Sequence, residues 1–121
     1  QRPEATACPG MGFFYSVVIP MTSWAPISAD QLEALLSREL LRCSPEQRAL
    51  FEGFRVPMRK ASINRNGAVE TVYIVAQKEE SVIYYDDVEE GFNLSLLGPR
   101  GEIAVQGFEQ WELRHALNNW V

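Results

Sequence analysis

NGAVETVYIVAQKEESVIYYDDVEEGFNLSL, residues 66–96, is the stretch that decides the fold. Asn66-Gly67 is a tight-turn signal, because both central residues of a type I′ turn need positive φ. Val69-Glu70-Thr71-Val72-Tyr73-Ile74-Val75 has the β-branched and aromatic content of a strand. Lys78-Glu79-Glu80 is a polar turn into Ser81-Val82-Ile83-Tyr84-Tyr85, and residues 86–91 turn the chain again. In Phe92-Asn93-Leu94-Ser95-Leu96 apolar and polar residues alternate with period two. Hairpin-connected strands in succession imply an antiparallel meander.

Upstream, two helices carry their own start signals. Ser28-Ala29-Asp30-Gln31 is a capping box, followed by Leu32, Leu35, Leu36 and Leu40 at helical spacing. Ser44-Pro45-Glu46-Gln47 repeats the device with proline at the first helical position. Leu50, Phe51 and Phe54 give that second helix its apolar stripe, and Gly53 is expected to end it. Earlier still, residues 13–21 read as a buried strand stopped by Pro20, residues 22–27 as a loop, and residues 1–11 as a loosely held arm. Downstream, Gly98-Pro99-Arg100-Gly101 turns the chain into a short strand over residues 102–105. Leu113, Ala116, Leu117 and Trp120 then form one stripe of a third helix, with Glu109 and Glu112 expected in its early part. The reading is one α+β domain over residues 1–121. Its antiparallel sheet has about five to six strands in the order β-α-α-β-β-β-β-α, with the helices on one face.

Composition narrows the function. The chain has 121 residues and a net charge of −5, the wrong sign for a free-standing nucleic-acid binder. No apolar run has the ~20 residues that cross a bilayer, and residues 1–10 show no secretory signal pattern. Cys8 and Cys43 form no CxxC unit; free thiols in a reducing cytosol are expected, a disulfide being the alternative. The charge is uneven. Residues 1–77 hold eight basic and seven acidic side chains, and residues 78–121 hold three and nine. Six of those nine acids are Glu79, Glu80, Asp86, Asp87, Glu89 and Glu90. In a meander the two acidic turns lie at opposite ends of one strand, roughly 17 Å apart. That spacing suits a broad negative surface better than a single metal site. Such a surface suits a basic partner, since complementary charge speeds encounter and fixes orientation. A hard cation on Asp86, Asp87, Glu89 and Glu90 is a weaker alternative, as the spacing of a calcium loop is missing. The bland alternative is solvated turns that keep the protein soluble.

No catalytic motif is present: neither GxSxG, GxGxxG nor GxxxxGK[ST] occurs. Tyr84-Tyr85-Asp86-Asp87 matches the YxDD string of reverse transcriptases by chance, because no palm-sized chain surrounds it. His115 is the one imidazole, with Trp111, Glu112 and Arg114 nearby in sequence, and reads as an exposed helix residue. Arg55, Arg59, Lys60 and Arg65 suggest a small anion site or a solvated strand. Of the tryptophans, Trp120 is expected in the core, Trp24 exposed in its loop and Trp111 at an interface.

Tyr85-Asp86-Asp87-Val88-Glu89-Glu90-Gly91-Phe92-Asn93, Gly101-Glu102-Ile103, Gln110-Trp111-Glu112-Leu113 and Ala116-Leu117 together resemble small acidic immunity proteins. Those proteins are encoded beside bacterial polymorphic and contact-dependent growth inhibition toxins. The resemblance implies a cytoplasmic α+β protein that occludes the active site of one cognate toxin domain, such as a basic nuclease; with no catalytic constellation in the chain, no enzyme activity, cofactor or metal is expected. Combined with the charge pattern, it makes Glu79, Glu80, Asp86, Asp87, Glu89 and Glu90 the expected partner-binding acids. Tyr84, Tyr85 and Trp111 are the expected aromatic anchors. Neither nucleic acid nor membrane is an expected partner. Two alternatives stay open: a small enzyme pairing His115 with carboxylates of the 86–90 turn, and a small-ligand domain with its pocket between sheet and helices.

Overall fold

The computed structural model describes residues 26–65, 67–105 and 109–120. The expected strand at 13–21, the arm, Cys8, Trp24 and Asn66 lie outside the described residues. Among the described residues the elements run α1 (Ala29–Leu41), α2 (Pro45–Phe54), β1 (Arg55–Arg65), β2 (Ala68–Lys78), β3 (Ser81–Asp86), β4 (Gly91–Leu96) and α3 (Leu113–Asn119). They form an α+β protein with three helices and one antiparallel sheet in the order β1-β2-β3-β4.

Both capping boxes are made. Ser28 Oγ accepts from Gln31 N–H at 3.1 Å while Gln31 Oε1 accepts from Ser28 N–H at 2.9 Å. Ser44 and Gln47 repeat the exchange at 3.1 and 2.8 Å. Each cap contributes about 1 kcal/mol by satisfying donors that the first helical turn leaves open. Gly53 does not end α2. The helix runs to Phe54 and passes directly into β1 at Arg55, whose φ of −60° and ψ of 137° are already extended. No left-handed cap is needed there, so glycine's freedom is not used.

Two apolar clusters occupy the two faces of the sheet. The first joins Leu32, Leu36, Phe51, Leu113, Ala116, Leu117 and Trp120 of the helical segments to Val75, Ile83, Tyr85 and Phe92 of the sheet. The second joins Ala61, Ile63, Val72, Ile74, Val82, Tyr84 and Ile103 and contains no helical residue. Among the described residues the helices thus cover one face, as expected. Trp120 anchors the first cluster: its ring meets Phe54 edge-on at 5.7 Å and its Nε1–H donates to Ser81 Oγ at 2.7 Å.

Among the described residues the sheet has four strands, and the expected strand at 13–21 lies outside them. The segment at 102–105 makes no full strand, only one bridge between Leu97 and Ile103. That bridge matters for shape. Ile103 N–H donates to Ser62 O of β1 at 2.9 Å, and Ala104 N–H donates to Leu96 O of β4 at 2.9 Å. In a flat sheet the first and fourth strands lie about 14 Å apart, three strand spacings. One short segment reaches both, so the sheet curls around the second cluster. Pro57 explains the irregular start of β1, since it cannot donate to the ladder and the register shifts between Arg55 and Arg59.

The third helix begins later than expected. Glu109 lies outside it, and Glu112 is its N-cap without a side-chain cap bond. The missing acceptor comes from α1, where Glu39 Oε1 accepts from Leu113 N–H at 2.9 Å. Residues 109–111 are held instead by β4. Asn93 clamps Glu109 through both its amide groups at 3.0 Å, and Phe92 N–H donates to Trp111 O at 2.9 Å.

Candidate binding surface

The six acids of the 79–90 region separate into two kinds. Glu79 and Glu80 form the exposed β2–β3 turn, with Glu79 at φ 55°. Glu90 is exposed at φ 57° and Glu89 half-buried in the β3–β4 turn. Among the described residues the carboxylates of Glu79, Glu80, Glu89 and Glu90 make no hydrogen bond or ion pair, so their charge faces outward. As expected, the two turns sit at opposite ends of β3.

Asp86 is different. Its side chain is 1% exposed, and its Oδ2 pairs with Arg65 Nη2 at 2.6 Å. Its Oδ1 accepts from Val88 N–H at 3.0 Å and Glu89 N–H at 3.3 Å, the Asx pattern that shapes a turn. Arg65 also binds Glu70 through Nε at 2.7 Å. Burial lowers the affinity of Arg65 for its proton, but the hydrogen bonds it donates to Asp86 and Glu70 more than offset this and raise its pKa. Asp86 therefore holds the turn from inside and presents no carboxylate to a partner.

The aromatics sort in the same way. Tyr84 is fully buried in the second cluster and cannot be a surface anchor. Tyr85 lies on the opposite face, against the first cluster, its ring edge-on to Phe92 at 5.0 Å. Trp111 is half-buried and packs on the same cluster. Neither is a free-standing anchor, because both help close the core.

The basic residues do not converge. Arg55 pairs with Glu33 and Glu52 and stands 5.2 Å over the Phe51 ring, whereas Arg59 donates to Gln77 at 2.8 Å. Arg65 is spent on the internal pair just described. Ten residues of extended chain separate Arg55 from Arg65, roughly 33 Å, so no single anion could meet both. His115 is exposed on α3 and its carboxylate neighbour is Glu112. Among the described residues no hydrogen bond or ion pair joins its ring to the 86–90 turn. None of the described His, Cys, Asp and Glu side chains gather in a group of three suited to a metal ion. Cys43 is a buried free thiol bonded to Glu39 O at 3.5 Å, and burial followed by the Glu39 charge pushes its pKa up.

A cavity of about 560 Å³ opens beside the β3–β4 turn, within the size range of small-ligand pockets. Lys60, Glu70, Thr71, Tyr73, Tyr85 and Asp87 line it. Lys60, Tyr73 and Tyr85 are successive cross-strand neighbours on β1, β2 and β3, so an ammonium and two phenol rings stand in one row. Asp87 Oδ2 accepts from Ile27 N–H at 2.7 Å, which ties the turn to the chain just before α1. Tyr85 is only 7% exposed, and among the described residues its hydroxyl has no hydrogen-bond partner. Burial, then the charges of Asp87, Glu90, Asp86 and Glu39, push its pKa up to about 12. The phenol stays a proton donor in a field dominated by carboxylates.

Lys60 and Tyr73 were not singled out from the sequence as a pair. Counting outward from the Asn66-Gly67 turn would have matched them, since the β1–β2 register is regular from Arg59 to Arg65.

What fold and site define is an α+β protein with a curled antiparallel meander, a helical face, and an acidic turn beside a tyrosine-lined cavity. Comparison with protein-family models, curated proteins and solved structures found no match. Among the described residues no helix is long and apolar enough to cross a membrane.

Proposed function

We propose that this protein is a non-enzymatic inhibitor that binds a cationic toxin domain in the bacterial cytoplasm and occludes its active site. The observation that carries the reading is the set of four carboxylates, Glu79, Glu80, Glu89 and Glu90, that have no internal partner among the described residues. Acids held for structure are committed, as Asp86 is to Arg65 and Glu39 to Leu113. Acids left uncommitted on two turns form a field that attracts and orients a basic surface. A nuclease domain offers such a surface, because its site is built for phosphate. The resemblance of the 85–117 region to immunity proteins points the same way.

The test is co-expression with the product of the adjacent upstream gene. The expected result is a stable complex, relief of toxicity, and an association rate that falls steeply with salt. Glu79, Glu80, Glu89 and Glu90 changed together to Gln should slow association at least tenfold while the fold is retained. A non-toxic gene product, or a complex indifferent to those four changes, would overturn the proposal.

A further inference from the structure

We infer that the cavity beside the β3–β4 turn is an anchor pocket for a single arginine side chain of the cationic partner. This rests on the inhibitory reading above and names what that surface grips. Three features of the cavity converge on a guanidinium. Its floor is aromatic, with Tyr73 and Tyr85 as cross-strand neighbours, and a planar guanidinium stacks on such rings. Its lining carries the half-buried carboxylate of Asp87, and after burial itself the charges of Asp87 and of the exposed Glu90 act most strongly on the Tyr85 phenol. Tyr85, 7% exposed as a residue, has a hydroxyl with no hydrogen-bond partner among the described residues, and its oxygen can accept an N–H. Lys60 is exposed on β1, at the far end of the row from Tyr85. Its ammonium opposes a second cation and suits a carbonyl or carboxylate of the incoming segment, which sets the direction of entry. The volume of about 560 Å³ accommodates an arginine side chain with part of its neighbouring backbone. Interfaces commonly concentrate their energy in such a filled pocket, with arginine among the favoured residues.

The experiment titrates the isolated protein with N-acetyl-arginine amide, following backbone amide and tyrosine ring signals by NMR. N-acetyl-norleucine amide and N-acetyl-glutamate amide serve as controls. For a probe this small a dissociation constant on the order of 1 mM is expected. Shifts should be confined to Lys60, Thr71, Tyr73, Tyr85, Asp87 and Val88. Glu90→Lys, whose carboxylate makes no hydrogen bond among the described residues, should weaken binding about tenfold, and Tyr73→Leu should do the same without unfolding the chain. Equal binding of norleucine would mean an apolar ligand pocket and would refute the assignment. Preferred binding of glutamate, or shifts centred elsewhere, would do so too. The outcomes separate the two proposals. Failure of the arginine probe with a partner that still binds removes the pocket alone. A probe that binds without any cationic protein partner removes the inhibitory role alone.

Discussion

Replacing Asp86 by Ala should destabilise the fold far more than replacing Glu89 or Glu90 of the same turn. The substitution strands Arg65, whose side chain is only 11% exposed, beside Glu70 alone. It also removes the acceptor for Val88 and Glu89 N–H. Breaking one side of a buried ion pair costs about 3–5 kcal/mol, because the remaining charge stays desolvated. Against a total stability of about 5–15 kcal/mol for a domain of this size, that is a large share. With a urea m-value of about 1.5 kcal/mol/M, the midpoint should fall by about 2–3 M. Asp86→Asn, which keeps an oxygen for the turn but loses the charge, should fall between wild type and Asp86→Ala. Glu89→Gln and Glu90→Gln should stay within about 0.5 kcal/mol of wild type, as surface changes do. Urea unfolding followed together by far-ultraviolet circular dichroism and tryptophan fluorescence measures all four variants. A loss below about 1 kcal/mol for Asp86→Ala would show that the Arg65–Asp86 pair stabilises little and that the turn holds itself. The same logic governs the binding test: a block replacement that included Asp86 would confuse lost folding with lost affinity.

Gly91→Ala should cost about 2–4 kcal/mol in the same assay, because an added Cβ would meet the Gln110 backbone, lying 2.7 Å from its carbonyl carbon and 2.9 Å from Trp111 N. That backbone cannot retreat without breaking the Phe92–Trp111 bond, so a stable Gly91→Ala protein would contradict the geometry. Tyr85 carries a pH dependence with a definite sign. Its folded pKa of about 12 lies above the ordinary value of 10.0, so its contribution is complete below pH 10 and is lost as pH rises toward 12. Stability should fall across that window, and Tyr85→Phe should abolish this component; an unchanged alkaline profile would refute it. Glu39→Ala should cost about 1 kcal/mol by leaving Leu113 N–H without its acceptor, read as a thermal midpoint lowered by several degrees. In the acid range Glu112 has a lowered pKa, set by Arg114 against the opposing effect of desolvation. Its small contribution is present above the ordinary carboxyl pKa and lost as pH falls through the lowered one, and Arg114→Gln should remove it in an acid titration of stability.

Much of the architecture was legible because it is written in local chemistry. Ser28 and Ser44 start helices wherever a Gln follows three residues later, since the cap exchange closes within four residues. The stripe of Leu113, Ala116, Leu117 and Trp120 becomes a buried face because helical spacing alone stacks those side chains. The two-residue turn after Arg65 likewise determines the β1–β2 register by counting. The site was legible only as composition. Acidic residues crowd residues 79–90, but sequence has no means of telling an outward carboxylate from one facing a buried arginine 21 positions away.

One residue shows where tertiary structure takes over. Counting back from the Glu79-Glu80 turn along the pairs Lys78–Ser81, Gln77–Val82 and Ala76–Ile83 would set Val75 against Tyr84 and Ile74 against Tyr85. The ladder instead shifts between Ile74 and Ala76, leaving Val75 extra and pairing Ile74 with Tyr84 and Tyr73 with Tyr85. A slip of one residue exchanges the faces of all that follows, because side chains alternate along a strand. So the sequence by itself determined that there would be capped helices, a meander and an acidic turn. The bulge at Val75, which lets Val75 and Ala76 both pack against the helices, decided which tyrosine would be sealed into the second cluster and which would line the cavity.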